Sequence, residues 1–139
     1  MRALPALLCS TLVASGLLIT LPAEAATARP TALTTASGGH HNTSIKVQWK
    51  WHSGVTTYQL QAATDSSFSA IVKVVTVKGA TRPSGGLMTA SVSGLQAATR
   101  YHFRVRAVFQ GHASAWSSAL TSDTKIAWPG KVTSVTAAS

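Results

Sequence analysis

The sequence has little of two residue types that often decide function, namely cysteine and the acidic residues. Of 139 residues one is a cysteine, Cys9, and three are acidic, against twelve lysines and arginines. Cys9 lies in an apolar leader, so the rest of the chain can form neither a disulfide framework nor a cysteine-based metal site. A small domain without disulfides must be held together by its hydrophobic core.

The shortage of carboxylates argues against hydrolytic chemistry in this chain. Beyond Glu24 the acidic residues are Asp65 and Asp123, which lie on different predicted elements, whereas a glycosidase needs two carboxylates that flank one bond. The histidines lack the His-x-x-x-His spacing of a zinc site, and no serine stands in a Gly-x-Ser-x-Gly elbow. We therefore expect no catalytic residue, no metal site and no cofactor here.

Residues 1–25 predict a secretory signal peptide. Arg2 gives a short positive start, and residues 3–21 are largely apolar and uncharged. Ala23 and Ala25 are the two small residues that signal peptidase recognises, which predicts cleavage after Ala25. The alternative is an uncleaved membrane anchor, because the apolar run is nearly long enough to span a bilayer. Cleavage would give a secreted, extracellular chain with residues 26–29 as its N-terminus and no transmembrane segment.

The charge of the mature chain is one-sided. After cleavage two acidic residues remain against eleven lysines and arginines. Such a surface favours polyanions such as nucleic acid, an anionic cell-wall polymer or an acidic polysaccharide. The ordinary alternative is that positive charge keeps an exported domain soluble, because the charges form no dense run.

Apolar and polar residues alternate with a period of two, and no segment has helical period. The clearest run puts Tyr101, Phe103 and Val105 on one face, and a basic row on the other: Arg100, His102, Arg104 and Arg106. Other strands are predicted within residues 27–39, 43–50, 55–63, 71–78, 88–92 and 113–124, with Phe68 packing back onto the core. Strands at this spacing predict an all-β, antiparallel β-sandwich.

Several residues carry a resemblance to the fibronectin type III domain. They are Trp49 in the second strand, Tyr58 in the third, Leu95 after Gly94, the run from Tyr101 to Ala107, and Ser114-Ala115-Trp116-Ser117-Ser118. The resemblance implies an immunoglobulin-like, seven-stranded sandwich over residues 30–126, with Trp49, Tyr58, Leu95 and Tyr101 in structural roles. It also implies that Tyr101 is a tyrosine corner, whose hydroxyl bonds the backbone near Gly94 and Leu95.

The last residues resemble the start of a second such domain. Residues 127–139 read as a linker followed by a first strand, similar to the segment that begins at Pro30. A lone strand cannot bury its own face, so this tail predicts a longer tandem protein of which the chain is an N-terminal fragment. The alternative is a complete protein with an unstructured tail.

The resemblance implies a non-catalytic spacer or interaction module, with neighbouring domains of the same longer chain as its first partners. In the bacterial relatives that the chain resembles, such modules accompany extracellular hydrolases. A second hypothesis is therefore the accessory region of a hydrolase, and a polysaccharide-degrading glycosidase is expected ahead of a nuclease or phosphatase.

A third hypothesis is a binding module for a polyanion or a carbohydrate. Arg100, His102, Arg104 and Arg106 would lie about 7 Å apart along one strand, close to the charge spacing of a polymer. Trp51 and Trp128 could stack on sugar rings. The alternative for the basic row is that long cationic side chains shield a solvent-facing sheet, with Gln59 and Gln61 beside them.

Overall fold

The computed structural model describes residues 29–127. They contain eight β-strands: β1 Thr34–His40, β2 Ser44–Lys50, β3 Thr57–Ala63, β4 Ile71–Lys78, β5 Leu87–Ser93, β6 Arg100–Phe109, β7 His112–Ala113 and β8 Leu120–Asp123. A 3-10 turn, Ser84–Gly86, precedes β5. In this part of the chain no helix is long and apolar enough to cross a membrane. The predicted signal peptide with Ala23 and Ala25, and the tail from Trp128 onward, lie outside the described residues.

The strands form two antiparallel sheets. The smaller sheet has the order β1-β2-β5, and the larger has the order β4-β3-β6, with β7 and β8 sharing the far edge of β6. β2 pairs with β5 from Ser44 opposite Ser93 to Lys50 opposite Leu87. The predicted all-β immunoglobulin-like sandwich is confirmed, and its seventh strand is divided into β7 and β8.

The core lies between the sheets because the alternating segments turn their apolar faces towards each other. Trp49 of β2 and Tyr58 of β3 are fully buried, and their ring centroids lie 5.4 Å apart in an edge-to-face arrangement. Phe103 and Val105 of β6 are also fully buried. Each such large side chain contributes about 1.5–3 kcal/mol by leaving water.

The sequence of β4 is apolar on both sides, so its pattern does not show which side faces the core. The register with β3 decides this. Val75 lies opposite Leu60 and Val77 opposite Tyr58, so these two valines pack partly against the core. Val74 points outward and is 57% exposed. β4 is an edge strand, so part of its apolar surface remains in solvent.

The last strand differs from the continuous strand predicted over residues 113–124. Ser114 and Ser117 donate their backbone N–H to the carbonyls of Ala107 and Val105, both at 2.8 Å. Their hydroxyls accept the backbone N–H of the same two residues, both at 3.0 Å. Ser114 and Ser117 are three positions apart in the sequence, but their partners on β6, Ala107 and Val105, are two positions apart. A regular antiparallel strand would keep the two spacings equal. The serine hydroxyls replace the backbone carbonyls that a continuous strand would offer.

The topology separates the turns and loops into two ends. The upper end holds residues 29–33, the loops 51–56 and 79–86, and the turn 110–111, while the lower end holds 41–43, 64–70, 94–99 and 124–127. The Thr31 carbonyl accepts the Lys50 N–H at the upper end, and the Lys125 N–H donates to the His41 carbonyl at the lower end. The chain thus enters the domain at one end and leaves it at the other.

Candidate functional site

The outer side of the larger sheet carries the basic row, called here the arginine face: Arg100, His102, Arg104 and Arg106, with Gln59 and Gln61 of β3. The period of β6 buries the residues between the basic side chains and turns the basic side chains outward. The β3–β6 register sets Gln61 opposite Arg104 and Gln59 opposite Arg106. Facing side chains on neighbouring strands lie close enough to interact.

Arg100 and His102, at the lower end of the arginine face, contact β8. Arg100 binds Asp123 through two bonds, Nε to Oδ1 at 2.8 Å and an Nη atom to Oδ2 at 3.1 Å. Hydrogen bonding to Arg100 lowers the pKa of the Asp123 carboxyl. The two side chains are 67% and 53% exposed, so the pair adds little stability despite its bidentate geometry. His102 Nδ1 lies 3.1 Å from Oγ1 of Thr121.

Arg104 and Arg106 are held by the domain itself. Their Nε atoms donate to Oε1 of Gln61 at 2.9 Å and of Gln59 at 2.8 Å. Their guanidinium carbons lie 4.3 and 4.5 Å from the ring centroid of Trp116, within the range of cation–π contacts. Burial, and then the charge of Arg106, lower the pKa of Arg104. One indole therefore packs against two like charges.

Phe68 completes this stack: its ring is buried, as predicted, but it lies over Arg104 and outside the core cluster between the sheets. Its ring centroid lies 4.2 Å from the guanidinium carbon of Arg104, on the outer face of the larger sheet. The backbone of Phe68 has a φ of 60°, which is costly for a non-glycine residue. Burial of the ring over Arg104 offsets that cost.

The turn that places Phe68 is organised by Asp65. Its carboxylate accepts hydrogen bonds from the hydroxyls of Ser67 and Ser69 and from the backbone N–H groups of Ser69 and Ala70. These bonds lower the pKa of Asp65, with the Ser67 hydroxyl as the largest cause. The carboxylate thus serves as a fixed acceptor that shapes the turn.

The arginine face is therefore a network of internal contacts: an ion pair, two hydrogen bonds from arginine to glutamine side chains, and a stack of guanidinium groups on aromatic rings. The sequence predicted the outward row and the neighbouring glutamines but missed the stack. The available signal was Ser114-x-x-Ser117, a spacing of three that breaks the strand and brings Trp116 onto the face. Contact of Arg100, His102, Arg104 and Arg106 with a polyanion stays a prediction.

Trp51, the predicted carbohydrate contact, lies at the upper end. Its indole Nε1 donates to the Gly79 carbonyl at 2.8 Å, and its backbone N–H donates to the Gly86 carbonyl at 3.0 Å. The side chain is half-buried, and the Arg82 guanidinium carbon lies 5.7 Å from the ring centroid. Trp128 lies outside the described residues.

Between residues 29 and 127, no three histidine or acidic side chains converge as a metal site would need.

The four residues expected to be structural all lie in the core. Trp49, Tyr58, Leu95 and Tyr101 are each at most 5% exposed. The Tyr101 hydroxyl accepts the backbone N–H of Gln96 at 2.9 Å, one residue beyond the expected Gly94–Leu95 step. Sequence reasoning missed that the Tyr58 hydroxyl does the same for the backbone N–H of His52, at 2.8 Å.

A two-sheet sandwich with a tyrosine corner at the start of its sixth strand is typical of immunoglobulin-like folds, and solved structures show that this one is a fibronectin type III fold. The human collagen alpha-1(XX) fn3 domain is 26% identical with a TM-score of 0.60, over 77% of this chain and 92% of that one. The human contactin 1 fn3 domain is 21% identical, TM-score 0.59, over 76% and 83%. An Fn3-like protein from Clostridium thermocellum is 21% identical, TM-score 0.53, over 77% and 98%.

The sequence also matches a particular family, which is a narrower assignment than the fold. Residues 30–124, more than half of the sequence, match the family described as purple acid phosphatase, N-terminal domain, and the chain belongs to that family. A comparison with curated proteins finds no match.

Proposed function

We propose that this chain is a secreted, non-catalytic module that precedes a phosphatase catalytic domain and serves it as a spacer or interaction domain. The family match over residues 30–124 is the observation that carries the proposal, because that family is the N-terminal domain of purple acid phosphatases. Among the possible hydrolase neighbours, the sequence analysis placed a polysaccharide-degrading glycosidase ahead of a phosphatase, and the comparisons give no support to the glycosidase. The ranking is therefore reversed, and the phosphatase becomes the preferred neighbour.

The state of the two carboxylates supports a non-catalytic role. Asp65 is used by its own turn and Asp123 by Arg100, and hydrogen bonds lower the pKa of both carboxyls. A general acid that works near neutral pH needs a raised pKa. Both groups therefore suit fixed acceptors better than proton donors.

The path of the chain supports the role of a spacer. It enters at residues 29–33 and leaves at residues 124–127, at opposite ends of the sandwich. β6, the longest strand, has ten residues, and at about 3.4 Å each it spans on the order of 30 Å. Paired strands run along this length on both sheets, so the two ends of the domain are held apart by hydrogen-bonded β-structure.

The reading frame downstream of Ser139 provides the test. We expect it to continue into a phosphatase catalytic domain, and the whole secreted protein to hydrolyse a phosphate monoester such as p-nitrophenyl phosphate. Residues 26–139 expressed alone should show no hydrolysis. Hydrolysis by residues 26–139, or a downstream domain of another catalytic class, would contradict the proposal.

Polyanion binding by the arginine face is a second candidate. Gln61 and Gln59 occupy the Nε atoms of Arg104 and Arg106, and the stack on Trp116 fixes both guanidiniums in place. A preorganised pair of cations is suited to an anionic chain. Retention on heparin should fall steeply with salt and weaken when Arg104 and Arg106 are changed to Glu. Unchanged retention by a folded variant would remove the arginine face as a candidate.

A further inference from the structure

The carboxylates of the described residues lie at one end of the sandwich, whereas cations lie at both. Its two acidic residues, Asp65 and Asp123, both lie at the lower end, in the turn after β3 and at the end of β8. The upper end, as described over residues 29–127, carries cations and no carboxylate: Arg29, Lys50, Lys78 and Arg82. The loop end opposite the chain exit is thus a region of uncompensated positive charge.

A pocket of about 400 Å³ opens at this upper end. It is lined by Lys50, Trp51, His52, Arg82 and the Gly85–Gly86 step, and is called here the Trp51 pocket. Lys50 and Arg82 are exposed and have no carboxylate partner among the described residues. On β6, by contrast, Arg100 binds Asp123, and Arg104 and Arg106 donate to Gln61 and Gln59 and pack against Trp116.

The Trp51 pocket is built on fixed backbone. Trp51 is held through both its indole and its backbone N–H, and the backbone N–H of His52 is bound by the buried hydroxyl of Tyr58. Gly86 has a φ of 72°, and a Cβ there would lie 3.2 Å from an Nη atom of Arg82. Glycine at position 86 therefore allows the positive φ of the turn and leaves room for the Arg82 guanidinium.

We propose that the Trp51 pocket binds an acidic glycan, meaning a sugar chain that carries carboxylate, sulfate or phosphate groups. The half-buried indole offers a rigid apolar surface of the kind on which sugar rings pack. Lys50 and Arg82 flank it with the positive charge that an acidic substituent requires, and Arg82 can bind such a group bidentately. Single-stranded nucleic acid fits less well, because its binding uses several successive aromatic platforms and the pocket has one.

The test compares two double variants of the full chain that lose the same charge. Lys50→Gln with Arg82→Gln removes two cations from the Trp51 pocket, and Lys46→Gln with Lys125→Gln removes two exposed cations elsewhere. Binding to polygalacturonate and heparin is measured by affinity electrophoresis at several salt concentrations, with neutral dextran as the uncharged glycan. All four residues are exposed, so equal urea midpoints are expected and confirm that both variants are folded.

We expect about tenfold weaker binding of the charged glycans for the pocket variant and less than about twofold for the control, with a smaller salt dependence for the pocket variant. Trp51→Phe should weaken glycan binding without changing the salt dependence, because it removes ring surface and no charge. Equal losses for the two double variants would show general charge attraction and overturn the proposal. So would binding of a single-stranded DNA of equal charge as tightly as either glycan.

Discussion

The hydroxyl of Tyr101 accepts the backbone N–H of Gln96 at 2.9 Å and so ties the lower loop 94–99 to the strand that follows it. The Tyr58 hydroxyl accepts the backbone N–H of His52 at 2.8 Å and ties the upper loop 51–56 to β3. β3 and β6 are paired neighbours that run in opposite directions. Each end of the larger sheet is therefore closed by a buried tyrosine that caps the loop leading into its own strand.

Replacing either tyrosine hydroxyl should destabilise the domain. Tyr101→Phe and Tyr58→Phe each leave a partly buried N–H without its acceptor, and a loss of about 1–3 kcal/mol in the free energy of unfolding is expected. Urea denaturation of the two single variants measures it. The ring volume is preserved in both, so a loss reports the hydrogen bond rather than packing. An unchanged midpoint for Tyr101→Phe would argue against a structural role for the corner bond.

Ser114 and Ser117 should matter more than their neighbour Ser118. Ser114→Ala and Ser117→Ala each remove the acceptor for a buried N–H of β6, on Ala107 or Val105, and should cost about 1–3 kcal/mol. Ser118→Ala is the matched control, because Ser118 is exposed and its hydroxyl makes no such bond within the described residues. Hydrogen exchange of the Val105 and Ala107 amides should quicken in the corresponding serine variant alone. Equal effects at Ser118 would contradict this account of the broken strand.

The stack on Trp116 predicts that lysine cannot replace Arg104. Arg104→Lys keeps the charge but loses the planar group that packs between Phe68, Trp116 and Gln61. We expect a loss of about 1–2 kcal/mol, because a lysine ammonium can neither stack flat on the two rings nor replace the Nε–H bond to Gln61. Urea denaturation checks it, with Lys46→Met as the control at an exposed site. If the Arg104→Lys variant is as stable as the parent, charge alone matters there.

The pH dependence of stability should come from the two carboxyls below about pH 4. Hydrogen bonds lower the folded pKa of Asp65 and Asp123, so their contribution to stability is present above the unfolded pKa of about 4 and is lost as pH falls through the folded pKa. Arg100→Gln should raise the Asp123 pKa towards its ordinary value while that of Asp65 stays low. Carboxyl carbon NMR titration distinguishes the two residues. A raised Asp65 pKa in that variant would contradict the separate causes assigned here.

Cleavage after Ala25 is the prediction on which the extracellular location depends. Expression of the whole gene in a secreting host should yield a mature protein that begins at Ala26, as determined by N-terminal sequencing. Ala25→Arg should block processing, because signal peptidase requires a small residue at that position. Recovery of unprocessed protein in the membrane fraction from the unaltered gene would favour the anchor instead.

The sequence predicted the sandwich because strand periodicity is a local property. Ile45, Val47 and Trp49 alternate with polar residues, and any sheet that buries one face must bury these three. The outward facing of the basic row follows from the same period of two. β4 could not be assigned in this way, because its two faces are equally apolar and only the register with β3 distinguishes them.

The candidate sites depend on contacts between segments that are far apart in the chain. Nothing near Arg104 in the sequence indicates that its guanidinium packs against Phe68 and Trp116, because those residues come from a turn and from an interrupted strand. Likewise, Trp51 and Arg82 meet only because two loops close the same end of the sandwich.

The sequence by itself determined the fold class and the outward direction of the arginine row, because alternation along one strand fixes both. Only the tertiary structure decided what those arginines do, since the free energy of a cation depends on what lies beside it. On β6 the neighbours are Asp123, two glutamines and an indole, so the row is held by the domain. At the upper end Lys50 and Arg82 have no carboxylate partner between residues 29 and 127, and their charge remains available to a ligand.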